Sequence, residues 1–363
     1  MRAGALALVF GTRPELVKLA PMLWELGGDA RTIHTGQHPW ESLAEVQADL
    51  ELAEPDTCCT ISSMPRGRQI GEAVIAVTEA LIAHTPEIVV VQGDTNSTLA
   101  GALAATSLGL PLVHVEAGLR AFDRGLPEER NRVVVDHLAD LLAAPTDTAR
   151  NHLRDEGIAE DRIVVTGNTV VDAAKHCLPS AEARARLRKR FGLTANGYAV
   201  ATFHRPENVD HHEPLRTIVD ELSRLPIPVL LPVHPRTVDR ARHAGVELAR
   251  GSVRIVPPLG YRDFLAVAAD SALLITDSGG VQEEASVLGR PAVVVRRSTE
   301  RPEILGTVTT LVTPGPAIGH AVGRLLMDLD AVHRRLAELA SPFGDGHAAR
   351  HTIAAIERWL GSR

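Results

Sequence analysis

The sequence predicts an α/β protein built from two doubly wound, Rossmann-like domains facing a cleft. Three observations predict it. The chain has 363 residues, more than one core usually organises and about right for two α/β domains. Short apolar runs rich in β-branched residues alternate with longer amphipathic stretches from end to end. These runs stay apolar at every position, as parallel strands covered on both faces do, and the stretches between them are long enough for crossover helices.

The runs fall into two series. Residues 5–10, 31–34, 88–91, 112–115, 141–143 and 163–165 form the first. Residues 198–203, 229–233, 253–256, 273–275, 292–295 and 309–312 form the second. Strand signals pause for a helical pattern over 168–184, which places the domain boundary there. The expected division is 1–172, then 173–345, with 346–363 as a final helix packing back on the first domain.

Composition excludes several classes. Hydrophobic residues make up 45% and charged residues 23%, a globular mix. A net charge of −7 gives no general basic surface for nucleic acid or membrane, while leaving room for a local basic pocket. Cys58, Cys59 and Cys177 lack metal-ligand spacing and fit a reducing, cytoplasmic setting. No apolar run approaches the roughly 18 residues that span a bilayer. The chain enters a strand pattern at once, without a signal-peptide layout. Neither a G-x-G-x-x-G fingerprint nor a Walker A motif occurs, which argues against a dinucleotide site and a P-loop.

Ligands of open α/β sheets bind beyond the carboxyl ends of strands. Four clusters stand there. Gly11-Thr12-Arg13-Pro14-Glu15, with Lys18 one turn on, combines a glycine turn, a helix start and two cations. That is an anion site, or else an ordinary turn with solvated charges. Asp277-Ser278-Gly279-Gly280 offers a hydroxyl and open backbone N–H groups to a phosphate, with Glu283 or Glu284 for ribose hydroxyls. Its alternative is a Ser-capped helix with glycines for close packing.

The third cluster is a set of carboxylates at adjacent strand ends: Asp94, Glu116 and, in the next loop, Glu128. They suit acid/base work, or serve as helix caps and ion-pair partners, Asp94 before a helix starting near Asn96 in particular. The fourth is His204 beside Arg205, an acid/base or phosphate-binding candidate. His234 is a weaker candidate, and His211 and His212 read as solvated loop residues.

In order along the chain stand GTRPELVKLAP (11–21), TGQH (35–38), QGDTNST (92–98), HVEAGLR (114–120), PEERNR (127–132), TGNTVVDA (166–173), HRPENVD (204–210), TDSGGVQEEA (276–285) and TERPE (299–303). Taken together, these segments closely resemble the non-hydrolysing UDP-N-acetylglucosamine 2-epimerases. The resemblance implies a two-domain glycosyltransferase-B-type fold, a homodimer and no organic cofactor or metal. It implies inversion of carbon 2 of a UDP-N-acetylhexosamine by elimination and re-addition of UDP through a 2-acetamidoglucal. Asp94, Glu116 and Glu128 match the acid/base set, and His204 an essential histidine near the diphosphate. Arg13, Lys18, Ser278, Gly279 and Gly280 match phosphate contacts, Glu284 a ribose contact, and Arg132 a support for the carboxylates.

Three rivals remain on the sequence: a glycosyltransferase of the same fold, a hydrolysing 2-epimerase, and a UDP-sugar sensor without catalysis. The resemblance implies that hydrolysing enzymes carry Arg where Thr95 stands and Gly-Gly where Ala117-Gly118 stands. A sensor needs only the nucleotide site, not the carboxylates. Many relatives are activated by a second nucleotide sugar. Trp40 and Pro206 replace a Gln and an Arg common in those relatives, while Gln37, His38 and Arg68 remain, so hyperbolic kinetics are expected. Loop 120–126 is shorter than in many members and lies where it shapes the sugar pocket.

Overall fold

A computed structural model describes residues 4–61, 64–233 and 235–362. The chain divides into two compact units, Met1–His176 with Pro342–Arg363, and Cys177–Ser341.

The first unit carries a seven-stranded parallel sheet: β1 Leu6–Phe10, β2 Ala30–His34, β3 Thr57–Cys58, β4 Ile88–Gln92, β5 Leu112–Val115, β6 Leu141–Ala144 and β7 Ile163–Val165. Their order is β3-β2-β1-β4-β5-β6-β7, all neighbours parallel. β1 and β4 are buried at every position, which is why they read as unbroken apolar runs. The helix Asn96–Ser107 returns across them with almost no large side chains. A Cβ on its Gly101 would lie 2.8 Å from Val91 Cγ1 and 3.1 Å from Val9 Cγ1, so the helix seats directly on β1 and β4. β3 has two paired residues, too few to show a period, and the sequence did not reveal it.

The second unit repeats the plan with β8 Ala199–Thr202, β9 Val229–Pro232, β10 Val253–Val256, β11 Leu273–Thr276, β12 Ala292–Val295 and β13 Thr309–Val312. Their order is β10-β9-β8-β11-β12-β13, again all parallel.

The helix Thr169–Cys177 explains where the first unit ends. Its Asp172 accepts from the backbone N–H of Ala349 (3.0 Å) and Ala348 (3.2 Å), capping the final helix Ala348–Gly361. That helix lies on the helix Arg13–Leu26 and on β6. The chain re-enters the first unit at Pro342, with 346 expected. Phe343 is buried there and its carbonyl accepts from Asn168 N–H at 2.7 Å.

Strand order reverses between β1 and β4 in one sheet and between β8 and β11 in the other. In such sheets the crevice beyond these two strands is where ligands sit.

Candidate active site

At the first reversal, β1 ends in Gly11. A Cβ here would lie 2.1 Å from both Ser97 Oγ and Thr35 Oγ1, so only glycine lets three strand-end loops meet. Glu15, 1% exposed, ties them together. It accepts from Gly11 N (3.0 Å), Thr12 Oγ1 (2.8 Å), Thr95 Oγ1 (2.7 Å) and Thr98 Oγ1 (3.1 Å). Burial outweighs these donors and pushes its carboxyl up to about 7. Arg13 starts the following helix, with a proline in its first turn.

Asp94 lies just past β4. Arg132 Nη2 donates to its Oδ2, and Asn131 Nδ2 holds its backbone carbonyl at 2.8 Å. Asp94 is not a helix cap. Thr95 caps the helix Asn96–Ser107, exchanging hydrogen bonds with Thr98.

Glu116, just past β5, adopts φ 69°, a left-handed conformation unusual for a residue with a side chain. It is 8% exposed. Lys18 Nζ pairs with its Oε2, which also accepts from Asn168 Nδ2 at 2.9 Å. Lys18, expected on a phosphate, therefore has a carboxylate partner.

Glu128 was expected in a loop and stands instead in the first turn of the helix Pro127–Leu138. It is exposed, with no side-chain partner among the described residues. Its neighbour Glu129 is buried and accepts from Ala121 N (3.0 Å), Phe122 N (2.9 Å) and Arg132 Nη1 (2.8 Å). Arg132 thus bridges Asp94 to loop 120–126 through Glu129.

Behind these groups lies a buried charge relay. His114 Nδ1 is 2.6 Å from Asp136 Oδ1 and its Nε2 is 2.8 Å from the Gly93 carbonyl. Both ring nitrogens therefore face an oxygen acceptor. Burial opposes ionisation of Asp136, but His114 and Arg120 outweigh it and hold its carboxyl below the usual range. Arg120 continues the chain of charges to Glu156, at 2.7 and 2.6 Å.

At the second reversal, β8 leads to His204 and β11 to Asp277. Asp277 is fully buried and accepts from the N–H groups of His204 (3.1 Å) and Arg205 (3.1 Å) and from Asn208 Nδ2 (3.0 Å). The helix Gly279–Leu288 starts immediately after. Ser278 occupies the N-cap position, yet its hydroxyl makes no capping bond, so the plain Ser-cap alternative fails, and among the described residues no side chain caps the first-turn N–H groups. The two glycines differ. A Cβ on Gly279 would lie 2.8 Å from Arg301 Nη1, whereas one on Gly280 would meet nothing within 4 Å. Glu283 is engaged by Arg301 Nε at 3.1 Å, while Glu284 is 6% exposed on the same helix. His211 caps and His212 begins the helix His212–Ser223, both exposed, so His212 is not in a loop. His234 lies outside the described residues.

The family model for UDP-N-acetylglucosamine 2-epimerase matches residues 26–357. This chain belongs to the UDP-N-acetylglucosamine 2-epimerase family. It is 37% identical over 364 residues to a UDP-N-acetylglucosamine 2-epimerase of Methanocaldococcus jannaschii, covering 97% of this chain and 98% of that protein. It is 36% identical to a UDP-2,3-diacetamido-2,3-dideoxy-D-glucuronate 2-epimerase of Pseudomonas aeruginosa, covering 82% of this chain and 84% of that one. Among solved structures it resembles the Methanocaldococcus jannaschii UDP-GlcNAc 2-epimerase in complex with UDP-GlcNAc and UDP. There the TM-score is 0.88 and identity 38%, over 98% of this chain and 99% of that one. The fold is the glycosyltransferase-B type of these epimerases.

Sequence reasoning missed His114, Asp136 and Asn168, and it named Glu15 and Asp277 in their clusters without giving either a task. Each stood inside or beside a motif, but only its partners give it a task. Among the described residues no group of three or more His, Cys, Asp or Glu side chains is placed to hold a metal ion. No described helix is long and apolar enough to cross a membrane.

Proposed function

We propose that this chain is a non-hydrolysing UDP-N-acetylglucosamine 2-epimerase that needs no cofactor and interconverts UDP-GlcNAc and UDP-ManNAc. A base removes the C2 proton as the C1–oxygen bond to the diphosphate breaks. The C–H electron pair becomes the C1=C2 double bond of a 2-acetamidoglucal, and UDP leaves with the other pair. In the return step UDP oxygen adds to C1 and a proton to C2 from the opposite face.

The observation that carries this reading is the pair of strand-end carboxylates each set on its own cation, Asp94 on Arg132 and Glu116 on Lys18. Each cation fixes its carboxylate in place at a strand end, where a positioned carboxylate is able to accept a proton. Inversion needs acid/base groups on both faces of one carbon, and Asp94, Glu116 and Glu128 are assigned to them. Departing UDP gains negative charge, which favours preorganised donors. Arg13, His204, Ser278 and the N–H groups of Gly279 and Gly280 are assigned to it, and Glu284 to the ribose. Thr95 supports the non-hydrolysing form, because the family resemblance places Arg at that position in hydrolysing enzymes; here the Thr95 hydroxyl donates to Glu15 and accepts from Thr98 N. The assembly proposed with this activity is a homodimer, read by light scattering.

The test is incubation in D₂O with UDP-GlcNAc, read by NMR, with and without EDTA. Solvent deuterium at C2 of UDP-ManNAc, unaffected by EDTA, is expected. Retained C2 hydrogen in the product overturns the mechanism, and free ManNAc as sole product favours hydrolysis. Turnover of the diacetamido-glucuronate nucleotide alone would move the substrate assignment.

A further inference from the structure

His204 is bound to Asp277 in two ways. The carboxylate accepts from the backbone N–H of His204 and of the next residue, and His204 Nδ1 lies 3.1 Å from Asp277 Oδ1. A carboxylate that merely anchored the loop would need only the first of these. We propose that Asp277 is a positioning residue for His204, fixing the imidazole proton on Nδ1 so that Nε2 is the atom presented to the departing diphosphate. This rests on the reading that His204 serves that diphosphate.

The argument begins with Asp277 itself. Its burial opposes ionisation, but contacts with His204, Asn208 and the Arg205 N–H outweigh it, and the carboxyl lies below the usual range. An ionised carboxylate only accepts hydrogen bonds, so the Nδ1 facing it carries the proton. The remaining nitrogen, Nε2, belongs to a ring whose side chain is 61% exposed. It is a lone-pair acceptor in the neutral ring and an N–H donor in the charged one.

The carboxylate is held from a third side. Asn208 Nδ2 donates to Asp277 Oδ2 at 3.0 Å and to the Val295 carbonyl at 3.1 Å, so ends of β8, β11 and β12 are fastened around it. Ser278 and the open N–H groups of Gly279 and Gly280 follow directly in sequence, so ring and helix start are both referenced to Asp277. A buried negative charge beside an anion site weakens anion binding unless a proton lies between them. The Nδ1–H of His204 supplies that proton. Asp277 in turn compensates the ring's positive charge when Nε2–H donates to phosphate.

The experiment is a double-mutant cycle with NMR of the ring. In Asp277→Asn and in His204→Asn, kcat should fall about 100-fold, the scale of a lost acid/base or donor group. The double variant should be no slower than His204→Asn alone. On the wild-type protein, ¹⁵N shifts of the neutral His204 ring should show the Nδ1–H form, and Asp277→Asn should shift it toward Nε2–H. Additive losses in the cycle, or an Nε2–H ring in the wild-type protein, overturn the proposal while leaving His204 functional. Unchanged kcat in His204→Asn would instead overturn the reading of His204. If Asp277→Asn does not fold, the wild-type ring spectrum still decides.

Discussion

The two strand-order reversals solve the same problem differently. Beyond β4 and β5 in the first unit, carboxylates meet cations: Lys18 sits on Glu116, Arg132 on Asp94 and Glu129, and Arg120, with His114, on Asp136. In the second, the buried carboxylate of Asp277 is met mainly by N–H groups, and the hydroxyl of Ser278 makes no capping bond to the helix start. The difference teaches what each end is built to present. Paired carboxylates at fixed distances suit proton transfer, where protonation state and position both matter. Open N–H donors and an exposed imidazole suit an anion that comes and goes.

The largest effect expected from this contrast separates turnover from nucleotide binding. Asp94→Asn, Glu116→Gln and Glu128→Gln should each lower kcat by about 100-fold or more, with UDP affinity by calorimetry little changed. Loss of UDP binding in all three would place these carboxylates in the scaffold.

Next comes the buried relay behind them. His114→Asn removes a buried ring that joins the Gly93 carbonyl, beside Asp94, to Asp136 on the helix bearing Arg132. Asp136 keeps Arg120 and loses one buried hydrogen bond, at a cost of about 1–3 kcal/mol in unfolding free energy. Urea denaturation reads it, and a loss under 1 kcal/mol would show that the relay is not under tension from its charges.

Glu15 sharpens the comparison through pH. Its folded value of about 7 exceeds the ordinary 4.5, so the folded state holds the proton longer. Its contribution to stability is therefore full below about 4.5 and is lost as pH rises toward 7, by about 3 kcal/mol. Glu15→Gln should remove that slope, since Thr95 and Thr98 hydroxyls are able to accept from the amide. Parallel stability curves for the two proteins between pH 5 and 8 would rule this out.

The smallest effects belong to the second unit. Ser278→Ala should weaken UDP about 10-fold, one hydrogen bond to a charged group. Gly280→Ala meets no atom within 4 Å and should leave Tm unchanged, while Gly279→Ala meets Arg301 and should lower it. If Gly280→Ala also leaves UDP affinity unchanged, no phosphate approaches that backbone.

By itself the sequence determined the α/β class, twelve of the thirteen strands among the described residues and the motif positions beyond the strand ends. Parallel strands buried on both faces are written as apolar runs, and glycine, proline and charged residues must follow where the chain turns out of the sheet. It also carried the family motifs from Gly11 to Glu303. Only the tertiary structure decided which charges meet. Lys18 and Glu116 are 98 residues apart, Asp94 and Arg132 are 38 apart, and His204 and Asp277 are 73 apart. No local pattern encodes such partners. Glu128 and Glu129 are adjacent and chemically alike, and the helix start at Pro127 alone exposes one and buries the other. A side chain's charge is a property of sequence, but its burial and its partner are properties of the fold, and the proton affinity of Glu15 and the ring form of His204 follow from those.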